Sequence, residues 1–187
     1  SKRLEDEPGY DVRIWDVAAA TAAGEAGKPE QAAAACEFAS PTRLEAAALV
    51  PGAGWALAGG GEDRNNLEAW LLPRNARCVP GGKPQWSAEL AQPLTGIAAA
   101  ADGGQFATLH SDGSAMLREI GDGRPVRTLL TNSPINDLAF SPNGRYLATA
   151  GSDQRARIWD RASGSMIAEL RHDEPVQRTG FQRGQGI

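Results

Sequence analysis

With 187 residues, 41% of them hydrophobic and 22% charged, the chain has the make-up of an ordinary soluble globular domain, which excludes wholesale disorder. A formal net charge of -4 leaves no overall positive field to attract nucleic acid or an anionic membrane surface. Cys36 and Cys78 form no CxxC or Cys/His cluster, and the longest uncharged stretch, Ala46 to Gly61, is too short and too broken by Pro51 and glycines to span a bilayer. Zinc, a disulfide framework and a membrane span are therefore not expected, and no signal segment opens the chain.

In chain order, the first strand candidate is Asp11 to Trp15, which carries "RIWD" (Arg13 to Asp16). The alanine-rich "VAAATAAGEAGKPEQ" that follows is punctuated by Gly24, Gly27 and Pro29 and reads as a loop, leading to a strand near Ala33 to Phe38. Ser40 with Pro41 looks like a helix start, yet Leu44 to Val50 is read as a strand because its place in a repeat outweighs local propensity. Trp55 and Trp86 fall on strands, and "VPGGKPQ" lies in a loop. Near the end, Pro142-Asn143-Gly144 signals a turn. Tyr146 to Ala150 and Ala156 to Trp159 are strand-like, with a tight turn from Gly151 to Gln154 between them. Met166 to Leu170 and Val176 to Phe181 are the last strand candidates, and "QRGQGI" closes the chain as a tail.

These elements repeat. "PLTGIAAAADGGQFATLHSDGSAMLRE" (Pro93 to Glu119) lies without a gap on "PINDLAFSPNGRYLATAGSDQRARIWD" (Pro134 to Asp160), and the same shift carries Pro134 to Pro175 and Phe140 to Phe181. "LEAAALVPGAGWALAGGGEDRNNLEAW" (Leu44 to Trp70) fits with two extra residues near Arg64 to Asn66, which puts Trp70 where Trp159 stands. A period of about 40 to 45 residues with short strands and a closing Trp-Asp is the sequence form of a propeller blade.

Ile135 to Leu170 therefore resembles a repeat of the WD-repeat β-propeller family, with degenerate repeats beside it. The resemblance implies an all-β fold, a partial propeller of four-stranded antiparallel blades: a blade fragment at 9–39, blades at about 42–91, 92–130 and 131–171, and the start of another at 172–182. Each blade would supply strands a, b, c and d from the axis outward, with the d-to-a and b-to-c loops on the top face. Two strands, three blades and a single last strand fall short of the roughly 28 strands of a seven-bladed ring. The expectation is an excerpt of a longer protein, with completion of the ring by a partner as the alternative.

The family's structural hydrogen-bond network joins a strand-b Ser or Thr, a histidine from the d-to-a loop, the b-to-c Asp and the Trp. Carried over, it implies Thr149, Asp153 and Trp159, while Thr131 stands where the histidine is expected, at a cost of about 1 kcal/mol per missing bond. Arg118 and Glu119 replace Trp and Asp in the blade from Pro93, which marks it as degenerate and more loosely packed.

No catalytic constellation emerges. His110, near a strand end, and His172, in a loop, are read as structural; Glu62 and Asp63 as a solvated turn or a blade's own b-to-c acid; Gly59 to Gly61 as a strand end and turn. Arg155, Arg157, Arg161, Arg171, Arg178 and Arg183 make the last quarter basic, a solvated surface or, more sharply, a dock for an acidic segment. The resemblance implies a non-catalytic scaffold that binds other proteins within a larger assembly; the cysteine usage and the lack of an opening signal segment point to the cytoplasm, overall charge points away from nucleic acid, and no cofactor, metal or membrane span is expected. The alternatives are the sensor region of a signalling protein carrying a nucleotide-switch domain, and a propeller enzyme. From position in the top-face loops, the partner-binding candidates are Arg64, Asn65, Gln92, Ser114, Asn132, Ser133, Gln154 and Arg155.

Overall fold

A computed structural model describes residues 10–14, 36–40, 44–50, 54–60, 65–72 and 83–182, the first two segments as backbone. Among the described residues there are fourteen strands, β1 to β14, and no helix, so none long and apolar enough to cross a membrane. β1 (Tyr10–Ile14) and β2 (Cys36–Ser40) form an antiparallel pair. Three four-stranded antiparallel sheets follow. The first holds β3 (Ala46–Val50), β4 (Trp55–Gly60), β5 (Asn66–Leu71) and β6 (Trp86–Glu89). The second holds β7 (Leu94–Ala99), β8 (Gln105–His110), β9 (Ala115–Glu119) and β10 (Pro125–Leu129). The third holds β11 (Ile135–Phe140), β12 (Tyr146–Gly151), β13 (Arg155–Asp160) and β14 (Met166–Arg171).

Within each sheet the strands pair in sequence order, as short turns dictate, and between sheets β7 touches both β3 and β11. The three sheets thus fan out from their first strands as propeller blades. β4, β8 and β12 share one burial pattern, a half-buried residue followed by five buried ones. A strand paired on both edges and covered on both faces needs small or apolar residues throughout, and "WALAGG", "QFATLH" and "YLATAG" supply them.

Alternation then sends each side to a different neighbour. Leu57 and Leu67 of the first blade meet Leu94, Phe106 and Ile120 of the second. Ala107, Leu109, Leu117 and Leu129 on the second blade's other face meet Leu138, Leu147 and Trp159 of the third. Trp159 keeps 6% of its surface exposed, a burial that stabilises by about 2–3 kcal/mol.

The helix start suggested by Ser40-Pro41 does not form at Ser40, which ends β2, and the first strand begins one residue earlier than expected. Trp15 lies outside the described residues. Residues 172–182 correct a further expectation: no strand forms at Val176 to Phe181. An inner strand pairs with the second strand of its own blade, and no described segment offers one. The chain is held instead against the blade before it. Val176 donates its N–H to Gly151 O at 3.1 Å, and Thr179 donates its N–H to Asp137 Oδ2 at 2.9 Å.

Candidate functional site

In the third blade Trp159 Nε1 donates to Thr149 Oγ1 at 3.0 Å, both groups buried. Asp153 is not part of that contact. With no histidine to bridge it to Thr149, its carboxylate turns to the Arg157 guanidinium, four residues on, accepting from Nη1 at 3.2 Å and from Nη2. Arg157 Nε also lies 3.2 Å from Glu169, which takes a 2.7 Å bond from Arg155. The Arg157 side chain is 8% exposed, so its charge is compensated within the blade. That guanidinium holds the Asp153 carboxyl below its ordinary value.

The second blade fills the same positions differently. Arg118, in the register of Trp159, is buried, and its Nε donates to Thr108 Oγ1 at 3.2 Å where the indole N–H would. Its Nη1 donates to Gly123 O at 2.9 Å. The looser packing expected of this blade is corrected: Thr108 and Arg118 are 0% and 7% exposed. Thr108 Oγ1 also lies 3.0 Å from His110 Nε2, and His110 Nδ1 lies 3.4 Å from Gln92 O. Burial pushes His110 below the usual imidazole value, although Gln92 acts the other way. In the first blade Ala58 stands at the Thr position and Trp70 at the Trp position, both buried.

Antiparallel pairing puts the start of every first strand and every second-to-third turn at one end, so Gln92, Ser114, Asn132, Ser133, Gln154 and Arg155 share that end with Asn65. Arg64 lies outside the described residues. Gln92, Asn132 and Gln154 are exposed, and the others are half-buried. Ser114 is tied to Asp112 Oδ1 through both its N–H and its hydroxyl, at 2.9 and 2.7 Å. Gln154 has φ 65, the one non-glycine positive φ among the described residues. Its register mate in the second blade is Gly113, φ 77.

The same end opens into a cleft of about 510 Å³ along the inner strands. Glu45, Thr95, Asn136 and Gln177 line it from equivalent positions in four successive repeats. In β7 and β11 the pairing register shifts between Leu94 and Gly96 and between Ile135 and Asp137, which leaves Thr95 and Asn136 as bulged residues re-aimed at the cleft. Asn136 Nδ2 donates to Val176 O and Asn136 Oδ1 accepts from Ser152 Oγ, each at 2.9 Å. The loop-based candidates passed over this ring. A repeated apolar–polar pair marks it in the chain: Leu44-Glu45, Leu94-Thr95, Ile135-Asn136 and Val176-Gln177.

At the opposite end Arg161 clamps Asp102 of the neighbouring blade with bonds of 2.9 and 2.6 Å. Arg155, Arg157 and Arg161 are thus spent on ion pairs within the fold, so the arginines of the last quarter form no single basic patch. Among the described residues no group of His, Cys, Asp and Glu could hold a metal ion.

Comparison by sequence with curated proteins gives no match. Residues 123–160 match the family model of the WD domain, G-beta repeat, a window that runs from the turn before β10 through β13. Among solved structures, the β-propeller domain of Cps50 (Swd1) from Myceliophteria thermophila is similar at a TM-score of 0.65 and 15% identity. The match covers 89% of this chain and 50% of that one, so the chain spans about half the length of the propeller that it matches. Residues 123–160 thus carry a WD repeat, and the likeness to a β-propeller domain supports the propeller fold, with three four-stranded blades and one two-stranded pair among the described residues.

Proposed function

We propose that the chain is a non-catalytic scaffold that binds other proteins at the end of the blades where the inner strands begin, as one subunit of a cytoplasmic assembly. The observation that carries this reading is the polar ring of Glu45, Thr95, Asn136 and Gln177, set by the repeat at the mouth of one cleft. Rigid apolar joints behind it hold the ring and the adjoining turns in place, so a partner segment meets a preorganised surface. Gln154 and Arg155 flank the cleft from the third blade, and Asn132 and Ser133 from the connection before it. No acid, base and nucleophile converge there in a catalytic arrangement among the described residues, which favours binding over chemistry.

Affinity capture from extract of the source cell tests this. Thr95 is exposed, so Thr95→Trp fills the cleft without entering a blade joint. Proteins retained by the wild type are expected to fall at least 10-fold with Thr95→Trp and with Gln154→Ala/Arg155→Ala, and to persist with Arg124→Ala at the opposite end. Capture unchanged by all three variants overturns the assignment.

A further inference from the structure

The joint between the first and second blades contains a polar chain whose direction is dictated by its donors. Arg118 has only donors, so Thr108 Oγ1 accepts from its Nε at 3.2 Å. The Thr108 hydroxyl hydrogen is then free to point at His110 Nε2, 3.0 Å away, which requires that nitrogen to be the unprotonated one. The imidazole hydrogen therefore sits on Nδ1, facing Gln92 O at 3.4 Å. Arg118, Thr108, His110 and Gln92 form one ordered relay, running from the turn at Gly123 to the connection between β6 and β7. It is complete only while His110 is neutral.

A second proton on His110 would place two cationic donors on one buried hydroxyl, and the Thr108 hydrogen would have to swing to Met116 O, a longer contact of 3.4 Å. The charged groups acting on His110 are Arg118 of β9, which repels its proton, and Asp112 of the turn before β9, which attracts it. Asp112 is exposed and already takes both bonds of Ser114. Among the described residues, the apolar cluster that the first blade brings to this joint includes Leu57, Leu67, Ala69 and Leu90. The Gln92 carbonyl accepts from Nδ1 but brings no charge. Among the described residues, the charge that acts to compensate an imidazolium is that of the exposed Asp112.

We propose that the Arg118–Thr108–His110–Gln92 relay is a proton-operated latch between the first two blades, closed while His110 is neutral and released when it takes up a proton. Its release frees the connection at Gln92, which leads into β7 and Thr95 at the cleft. The joint between the second and third blades has no such device, because Gly151 stands in the register of His110 and Trp159 in that of Arg118. Acidification therefore loosens one joint and spares the other.

Hydrogen exchange on the whole chain at pH 7.5 and pH 5.5, corrected for the intrinsic rate, tests the latch. Protection in 88–95 and 106–118 is expected to fall at least 5-fold more than protection in 147–160. His110→Gln, which cannot be charged, is expected to abolish that difference. An equal loss over all segments, or a difference that persists in His110→Gln, overturns the proposal. If that variant does not fold, the wild-type His110 imidazole resonances decide: a midpoint below the ordinary imidazole value of about 6.5 is expected, and one at or above it overturns the proposal.

Discussion

Trp86 lies across Gly123 of the next blade and donates its indole N–H to Ile120 O at 2.9 Å; at the equivalent joint Arg127 lies across Gly164. The two contacts sit one repeat apart, so a residue of the outermost strand locks onto the last turn of the following blade twice over. Both turn glycines have positive φ, 70 and 69, and a Cβ on either would overlap the covering side chain.

Gly123→Ala is therefore expected to destabilise by about 2–3 kcal/mol, because an indole in a packed joint has no room to retreat. Gly164→Ala should cost about 1 kcal/mol, mostly backbone strain, since the Arg127 side chain can swing aside. Urea unfolding midpoints of the two variants measure this, and equal losses would show that Trp86 is not wedged.

Arg118 and Trp159 serve the same hydroxyl position through different chemistry. Arg118→Leu, which leaves Thr108 and the Gly123 carbonyl without that donor, is expected to lose about 2–3 kcal/mol. Arg118→Trp, which restores the N–H present in the third blade, should lose less than half as much. Chemical denaturation of both variants against the wild type decides it.

The contact between Trp159 and Thr149 should appear as a coupling. In a double-mutant cycle of Trp159→Phe and Thr149→Val, the interaction energy is expected near 1 kcal/mol, the usual net value of a buried neutral hydrogen bond.

Asp102 is held below the ordinary carboxylate value chiefly by Arg161. A carboxyl depressed in the folded state stabilises at every pH above its unfolded value, near 4, and that contribution is lost as pH falls through the lower folded value. Asp102→Asn should therefore cost under about 1 kcal/mol at pH 7, the Asp102 side chain being 42% exposed, and progressively less as pH falls below the unfolded value. Thermal melts at low and high salt check the assignment, since the difference at pH 7 should shrink with salt.

Gln154 occupies a conformation that its register mate Gly113 takes without strain. Gln154→Gly is expected to stabilise by up to about 1 kcal/mol, read as a higher melting temperature.

The third blade was legible almost residue by residue, because Ile135 to Phe140 and Tyr146 to Ala150 carry local pattern, turn chemistry and repeat register in agreement. Leu44 to Val50 was legible only through the repeat, since its composition favours helix. Arg118 was misread as a sign of looseness because residue type does not reveal that a guanidinium N–H can reach where an indole N–H reaches. The cleft residues were overlooked for a different reason: a bulge changes the direction of one side chain without changing the pattern around it.

The sequence by itself determined the repeat, the β class and the order of the strands, because these follow from spacing and from which residues tolerate burial on both faces. Only the tertiary structure decided that Asp153 serves Arg157 rather than Thr149, that His110 stands within hydrogen-bonding distance of Thr108, and that Val176 to Phe181 forms no strand. Those outcomes depend on which groups from distant parts of the chain arrive within hydrogen-bonding reach, and that distance is set by packing between blades rather than by any local run of residues.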